Sequence, residues 1–380
     1  MQKFEKHSPV VVTEVTTKHE LRQFMQYPNR LYADNPNYIP SFYGDDLSDW
    51  TPGKNPAFDY CEARCWLAWR DGEIVGRIGA ILSHKANDKF GTHRMRFSQV
   101  DFVDDSEVSA ALFGMVERWA REKGCDQVHG PLGFTDMDRE GMLVEGFDRR
   151  SLFFTNYNAP YYLEHLTRLG YRKDVDWIEY RITVPAPGSA EAARLHKLSE
   201  FILKRKNLHV ATVHHKSEYG PFVRQVFELV NAAYAPLYGV VELSDEQIER
   251  YANKFIPLVD PDFVCFVLDE QDKLVAFGVT ALDPSVALKH SDGRLFPFGW
   301  AGVLNDLHHS DTLIMLLTAV RPDLQTEGIN AVMMDHVCQS CNRHGVQFAE
   351  TGPMLELNDH ILAQWKRCLL YTSPSPRDCS

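Results

Sequence analysis

One stretch of the chain combines a strand, a glycine-bearing loop and a helix in an order that can bind an anion. Thr312–Val320 is continuously apolar, as a buried strand is, and Pro322 ends it because proline cannot donate to a neighbouring strand. Residues 325–328 form a polar loop, and 329–344 has the apolar periodicity of a helix that Gly345 ends. The N–H groups and the positive dipole end of such a helix point at the loop. This order of elements favours a phosphate group as the ligand.

A second stretch with chemical potential is rich in carboxylates. Residues 130–148 read GPLGFTDMDREGMLVEGFD, and their acids are Asp136, Asp138, Glu140, Glu145 and Asp148. The spacing imitates the start of a calcium loop, but Phe147 stands where a bidentate glutamate is required. A looser divalent site and a solvated glycine-rich loop both stay open. The preferred interpretation is a substrate loop for a cationic or amine-bearing acceptor, because apolar side chains such as Phe134 alternate with the acids.

Four residues have the spacing of a zinc site, but they lie on one predicted helix. They are His336, Cys338, Cys341 and His344. Structural zinc sites draw ligands from at least two elements, and helical spacing turns His336 and Cys338 to different faces. We therefore expect buried thiols and surface histidines, and no metal. The chain also lacks the lysine-bearing phosphate loop of nucleotidases.

Composition narrows the class of protein. A chain of 380 residues with 44% hydrophobic and 24% charged residues is typical of a soluble protein with two domains. The net charge of −12 disfavours a nucleic-acid partner. The sequence has no signal-peptide core and no run that can span a membrane. Its eight cysteines form no disulfide pattern, so we expect reduced thiols and a cytoplasmic location. The oligomeric state is left open.

The elements around these stretches repeat one order. In the first half, periodicity predicts a strand, a helix, a hairpin around Asp71-Gly72, a strand, a helix and a strand. A further strand over 176–184 is expected to close this half, and 185–193 (PAPGSAEAA) reads as a linker. The same order then starts again and leads to the strand, loop and helix of the opening stretch. The chain is therefore expected to be a tandem of two similar domains.

The loop of the second half resembles a known family. Its pattern Val320-x-Pro322-x-x-Gln325-x-x-Gly328-x-Asn330 resembles the pyrophosphate loop of GNAT-type N-acyltransferases, V-x-P-x-x-[QR]-x-x-G-x-[GA]. Asn330 departs from the small residue that is usual there. The order of elements is similar to that of the GNAT fold, and the acidic stretch resembles uncharacterised bacterial tandem-GNAT proteins. The resemblance implies an α/β protein of two tandem GNAT-like domains, each a mixed, splayed central sheet flanked by helices.

The resemblance also implies a division of the chain. Residues 1–187 would form an N-terminal GNAT-like domain with a degenerate phosphate loop, because 102–108 (FVDDSEV) has no glycine and carries three acids that repel phosphate. Residues 188–367 would form the acyl-CoA-binding domain. Cys368 to Asp378 reads CLLYTSPSPRD, the translation of a transposase sequencing adapter, so 368–380 are expected not to be native. The fourth helix of the second domain would then be cut short, and no tyrosine can be assigned as its general acid.

The function implied is transfer of an acyl group, acetyl or longer, from acyl-CoA to the amine of a small molecule or peptide. The residues expected to bind acyl-CoA are Val320, Gln325, Thr326, Gly328, Ile329, Asn330, Ala331 and Asn358. Glu350 and Glu356 are the candidate proton acceptors, since attack on a thioester needs an uncharged amine. The expected acceptor-binding residues are Phe134, Asp136, Asp138, Glu145 and Tyr161.

Three alternatives stay open. A Fem-like transferase would take its acyl group from aminoacyl-tRNA and need a basic groove. A GNAT-fold binding protein would bind ligand without turnover. A metal-dependent hydrolase would use Asp136, Asp138 and Glu140.

Overall fold

The computed structural model describes residues 8–358 and Leu362. They belong to two compact units. The first unit extends to Asp174 and also includes Leu288–Gly299, whereas the second unit extends from Val175 to Ala287 and resumes at Trp300. The expected fourth helix of the second domain and residues 368–380, which are expected not to be native, lie outside the described residues, apart from Leu362.

The first unit is built on a five-stranded sheet in the order β1-β2-β3-β4-β5. All neighbours are antiparallel except β4 and β5, which are parallel. The helices and strands before Asp174 are β1 (Val11–Glu14), α1 (Lys18–Leu31), α2 (Tyr43–Asp49), β2 (Cys61–Arg70), β3 (Glu73–Ser83), α3 (His84–Phe90), β4 (Arg94–Phe102), α4 (Ser106–Glu122), β5 (Gln127–His129) and α5 (Tyr162–Arg168).

Local signals account for the helix ends of the first unit. Thr17 and Glu20 form a capping box at the start of α1. Helix α4 begins at Ser106, but its N-cap is Asp105, whose Oδ1 accepts a hydrogen bond from the N–H of Glu107 at 2.8 Å. Serine and aspartate can both cap a helix, and the extended backbone at Asp105 selects the aspartate here.

The second unit is built on a six-stranded sheet in the order β7-β12-β11-β10-β9-β8, with a separate ribbon of β13 and β6. The elements after Asp174 are β6 (Trp177–Ile178), β7 (Arg181–Thr183), α6 (Ala190–Lys206), β8 (His209–Val210), α7 (Gly220–Tyr234), α8 (Asp245–Phe255), β9 (Val264–Leu268), β10 (Leu274–Leu282), α9 (Ser285–His290), α10 (Gly299–His309), β11 (Thr312–Val320), α11 (Asn330–His344), β12 (Phe348–Glu350) and β13 (Met354–Leu355). None of the described helices is both long and apolar enough to cross a bilayer.

The strand expected to close the first domain belongs to the second sheet. Ile182 of β7 pairs with Ala349 of β12, and Arg181 pairs with Glu350. The contact pattern therefore divides the chain after Asp174, whereas composition had placed the boundary at residue 187. The composition shift marks the start of α6, which Ser189 caps, and it comes after the chain has already entered the second unit.

Each unit repeats one arrangement in its sheet. A short strand runs parallel to a long one, β5 beside β4 and β12 beside β11. A Gly-Pro dipeptide follows each short strand, Gly130-Pro131 in the first unit and Gly352-Pro353 in the second. This repetition is what a tandem of two related domains predicts.

Candidate functional site

The long and short parallel strands of the second unit separate after three residue pairs. Thr312, Leu313 and Ile314 of β11 pair with Phe348, Ala349 and Glu350 of β12. Strand β11 then continues to Val320 without β12, and its pairing with β10 shifts register between Val279 and Thr280. The sheet therefore opens on one side of β11, and residues 315–318 are only partly buried although β11 is central.

Apolar side chains lie at this opening. Met315 of β11 packs against Tyr180 and Leu362 together with side chains of β6, β7, β13 and α11, namely Ile178, Ile182, Met354 and Met334. Three of these side chains are methionines, which adapt their shape to irregular apolar groups. The surroundings of Met315 at the opening are therefore apolar.

The loop after β11 presents backbone N–H groups at the start of α11. Gly328 has a φ of +81°, and no side chain caps the helix. Within residues 8–358, the N–H groups of Thr326, Gly328 and Ile329 have no hydrogen-bond acceptor. Gln325 faces the other way, since its Nε2 donates to the carbonyl of Val320 at 3.3 Å. Donors of this kind at a helix N-terminus suit a phosphate oxygen.

The backbone of the loop is held from the core side. A Cβ added at Gly328 would lie 3.1 Å from Cδ1 of Ile202 on α6. Val320 and Ile329 are buried, and both pack in the same cluster as Ile202, beside the partly buried Ala331. These apolar residues expected to contact acyl-CoA therefore position the loop backbone through the core.

Charges around the loop nearly balance. Arg321 forms an ion pair with Asp323 at 2.7 Å, and Lys206 forms one with Glu327 at 2.6 Å. The hydrogen bond from Lys206 lowers the pKa of Glu327, with a further contribution from Arg205. Two cations thus offset the glutamate that lies beside Gly328, which would otherwise repel a phosphate.

Both candidate proton acceptors in the second unit have structural partners. Glu350 accepts from Nη1 of Arg181 at 2.7 Å, and the Arg181 guanidinium lies over the ring of Phe348. Glu356 accepts from the N–H of Asp176 at 2.9 Å. These contacts hold β7 to β12 and β6 to β13.

Asn358 lies at the start of the last described turn. Its N–H donates to the carbonyl of Leu355 at 2.9 Å, and its own carbonyl accepts from Leu362.

The acidic loop of the first unit follows β5, but its acids differ in their surroundings. Oδ2 of Asp138 accepts from the N–H groups of Phe134, at 2.8 Å, and Thr135, at 3.2 Å. Glu145 is exposed to solvent. Asp136 is partly exposed, yet its Oδ1 is buried and has no hydrogen-bond partner among the described residues. Asp138 therefore stabilises the loop backbone, whereas Oδ1 of Asp136 accepts no hydrogen bond from the described residues.

Two of the residues expected to contact the acceptor are aromatic, and both side chains make contacts within the first unit. Phe134 is 1% exposed and lies edge-on to Trp50. Tyr161 donates its hydroxyl hydrogen to the carbonyl of Phe102. Neither ring forms an open surface of the first unit.

Burial perturbs the titration of two carboxyls in this loop. It raises the pKa of Asp136 to about 6, with the charge of Asp138 as a smaller cause. Burial, followed by the charge of Asp136, raises the pKa of Glu140 well above its ordinary value. No role in an acyltransferase was expected for Glu140. Its spacing of four residues from Asp136 is the only sign in the sequence that the two carboxyls lie close together. Perturbed carboxyls of this kind occur preferentially at functional sites.

Side chains close the first unit's counterpart of the phosphate loop. The rings of Phe102 and Tyr162 stack with centroids 4.2 Å apart. His165 contacts Oδ1 of Asp104 through Nε2, at 2.9 Å, and Oγ of Ser109 through Nδ1, at 2.8 Å. The degenerate phosphate loop that the resemblance implies for the first unit stays a prediction.

A buried polar network missed by the sequence analysis lies beneath this region. Arg77 donates from Nε to Asp101 at 2.7 Å, from Nη1 to the carbonyl of Phe24 at 2.9 Å and from Nη2 to Gln99 at 3.0 Å. Arg77, Gln99 and Asp101 line a cavity of about 30 Å³ together with Arg139. The network satisfies its own charges and holds α1 against β3 and β4.

The four residues with zinc-like spacing do not converge. Cys338 and Cys341 are buried thiols, and Nε2 of His344 contacts Asp262 at 2.7 Å. Across residues 8–358, no group of three or more histidine, cysteine, aspartate or glutamate side chains can hold a metal ion.

The chain is similar in sequence to two curated proteins. No protein-family model matches it. Protein YghO of Escherichia coli (strain K12) is 28% identical over 329 residues, which cover 85% of this chain and 82% of that protein. The bacterial ceramide synthase of Caulobacter vibrioides (strain NA1000 / CB15N) is 29% identical over 299 residues, which cover 77% of this chain and 75% of that protein.

Solved structures show the fold. A tandem GNAT protein from the clavulanic acid biosynthesis pathway matches with a TM-score of 0.51 at 12% identity, covering 95% of this chain and 94% of that one. A GCN5-related glucosamine N-acetyltransferase region of a fungal multi-domain β-N-acetylglucosaminidase matches with a TM-score of 0.52 at 10% identity, covering 95% and 37%. The chain therefore has a tandem GNAT fold.

Proposed function

We propose that this protein is an N-acyltransferase that moves an acyl group from acyl-CoA to an amine. The observation that carries the proposal is the opening of the sheet at β11 beside a loop whose N–H groups have no acceptor within residues 8–358. An acyl-CoA has a pyrophosphate for such donors and an extended pantetheine arm that can pair with a strand edge.

The relatives support a lipid-like amine as the acceptor. One of the two is named a ceramide synthase, and ceramide is the amide of a fatty acid with a long-chain amino alcohol. The apolar cluster around Met315 and Met354 suits a long acyl chain better than an acetyl group. We therefore propose a long-chain acyl-CoA as donor and a long-chain amino alcohol as acceptor.

The reaction has a simple balance. The amine nitrogen attacks the thioester carbonyl, a C–N bond forms, and the C–S bond breaks. The ammonium form of the acceptor gives one proton to a base before attack and a second to the departing thiolate, which leaves as free CoA. Glu350 and Glu356 remain the candidate bases in the second unit, although each would have to serve beside its present partner. The cysteines in the described part of the chain are free thiols. Free thiols support a reducing, cytoplasmic location.

Calorimetric titration with CoA tests donor binding. We expect Gly328→Ala to weaken CoA binding by about tenfold or more, because a Cβ at a φ of +81° strains the backbone and pushes against Ile202. The matched control is Gly345→Ala at the other end of α11, where φ is +72° and a Cβ meets nothing within 4 Å.

The control variant should lose about 1 kcal/mol of stability and keep the affinity of the wild type. Equal affinity in wild type and Gly328→Ala, or an absence of CoA binding in both, would contradict the proposed donor site. If CoA binds but mass spectrometry finds no amide from palmitoyl-CoA and a long-chain amino alcohol, the protein binds acyl-CoA without this activity.

A further inference from the structure

The sheet of the first unit also opens beside its long strand, and a cavity lies at this opening. Strand β4 pairs with β5 only from Arg94 to Arg96, and residues 99–101 of β4 continue without that neighbour. These three residues line the cavity of about 30 Å³, and so do Pro131 and residues 141–142, which follow β5. The cavity has space for about two or three atoms the size of a water oxygen.

Two side chains that line the cavity have unused hydrogen-bond donors. Arg139 donates from Nη2 to Asp46 at 2.8 Å and to Gln99 at 3.5 Å, whereas its Nε and Nη1 have no acceptor among the described residues. Gln99 accepts from Arg77 through Oε1, and its Nε2 has no acceptor within residues 8–358. None of these three nitrogens belongs to the fully buried atoms that lack a partner, so a solute can reach them.

Two further side chains of the lining leave donors in excess of acceptors. The hydroxyl of Tyr157 accepts from Nδ2 of Asn35 at 2.6 Å, and no described residue accepts its hydrogen. Asn156 donates from Nδ2 to the carbonyl of Gly141 at 2.8 Å, and its Oδ1 accepts from no described residue. The unused groups are therefore the donors of Arg139, Gln99 and Tyr157 and one acceptor on Asn156.

The charges that line the cavity favour an anion. Arg77 and Asp101 are 2.7 Å apart and offset each other. Arg139 adds a positive charge to the lining, whereas its partner Asp46 contacts it from outside the lining. A carboxylate only accepts hydrogen bonds, and arginine binds it with charge-assisted ones. A neutral thioester would place no anion beside Arg139.

The backbone of Gln99 is held in a conformation that is uncommon for its residue type. Its φ is +46°, in the left-handed region, although Gln99 belongs to β4. The pairing of β3 with β4 shifts register nearby, between Arg77 and Gly79. Strain of this kind persists where surrounding contacts hold it, and it is frequent at binding sites. Here it accompanies the contacts of Gln99 with Arg77 and Arg139.

We propose that this cavity binds the carboxylate group of a small organic acid. Arg139 supplies the charge, and Gln99 and Tyr157 donate further hydrogen bonds to the carboxylate oxygens. The site lies within the first unit and the loop of Gly328 within the second, so this ligand is additional to acyl-CoA. The site adds a binding function to the first unit that does not depend on the proposed transfer reaction.

The first test measures binding of acetate to the intact chain by saturation-transfer NMR, with no CoA present. Acetamide is the matched ligand, since it has the size of acetate but no charge. We expect acetate to bind about tenfold more tightly than acetamide or better, because charge-assisted hydrogen bonds are the stronger ones. Equal affinity for the two ligands, or no binding of acetate, would overturn the proposal.

Variants place the binding of acetate in the cavity. Arg139→Gln should weaken it by about tenfold or more. The control is Arg149→Gln, which removes the same charge from a side chain that is 44% exposed and pairs only with Asp148, at 3.9 Å. This control should keep the affinity of the wild type.

A second variant keeps the test decisive if loss of the partner of Asp46 unfolds Arg139→Gln. Gln99→Glu has the size of the wild-type side chain and puts a carboxylate against Arg77 and Arg139, so it should remain folded in thermal melting. It should also weaken acetate binding by about tenfold or more, because its own charge takes the place of the ligand's. Acetate affinity that is unchanged in Gln99→Glu, or reduced equally in Arg149→Gln, would refute the site.

Discussion

At the scale of single residues, the feature most sensitive to the loss of a partner is the buried ion pair between Arg77 and Asp101 in the first unit. Arg77 and Asp101 are each less than a tenth exposed, and Arg77 satisfies its remaining donors with Phe24 and Gln99. Burial raises the pKa of Asp101 even though the charge of Arg77 opposes that shift. Both charges therefore depend on every partner remaining in place.

We expect Asp101→Asn to reduce the free energy of unfolding by about 3–5 kcal/mol, because it leaves the guanidinium of Arg77 buried without a counter-ion. Urea unfolding of the intact chain measures this change. In the surface pair Arg168–Glu164 the side chains are 56% and 73% exposed, so Glu164→Gln is expected to cost about 0.5 kcal/mol or less. Equal costs for the two variants would show that the Arg77 pair is not desolvated.

At the scale of elements, α6 packs against α11 and supports the candidate phosphate loop on its core side. Ile202 of α6 contacts Gly328, and His196 of the same helix contacts Asp335 of α11 through Nδ1 at 3.0 Å. The hydrogen bond that His196 donates to Asp335 raises the pKa of His196 above its ordinary value, and Glu200 adds to the shift. The position of the loop is thus linked to a titratable contact.

This contact predicts a dependence of stability on pH. A histidine whose pKa is higher in the folded state stabilises fully below its unfolded value of 6.5, and that stabilisation is lost as pH rises through the folded pKa. We expect the urea midpoint of the second unit to fall as the pH rises above about 6.5, and His196→Gln to reduce that fall. A midpoint with the same pH dependence in the variant would exclude this contact as its source.

At the scale of the whole molecule, the first unit is completed by a segment from far along the chain. The carbonyl of Gly293 accepts from the N–H of Tyr43 at 2.9 Å, and Lys289 donates to the carbonyl of Asn35 at 2.7 Å. A Cβ at Gly293 would lie 1.9 Å from the carbonyl oxygen of Ser41. The segment Leu288–Gly299 therefore docks through backbone contacts that leave no space for a side chain.

A matched pair of glycines tests this docking. Gly293 and Gly239 share a φ of +74°, but a Cβ at Gly239 meets nothing within 4 Å. Gly239→Ala should cost about 1 kcal/mol from strain alone, and Gly293→Ala about 3 kcal/mol because the clash adds to it. Hydrogen exchange should locate the loss of protection in 35–46 for Gly293→Ala only. Loss confined to the neighbourhood of residue 293 would show that the segment is not part of the first unit.

The sequence by itself determined the elements whose signals are local. The apolar run of β11, the periodicity of α11 and the positive φ of Gly345 appear as the pattern predicts. The capping box of Ser244 and Gln247 is also present. Such signals work because the residues that stabilise a helix end or a strand face lie within a few positions of one another.

Only the tertiary structure decided which distant residues meet. It paired β7 with β12, gave Glu350 the partner Arg181, and placed Leu288–Gly299 in the first unit. It also separated the structural acid Asp138 from Asp136 and Glu140, which composition cannot tell apart. The physical reason is that desolvation and ion pairing depend on what surrounds a carboxyl, and those neighbours come from every part of the chain.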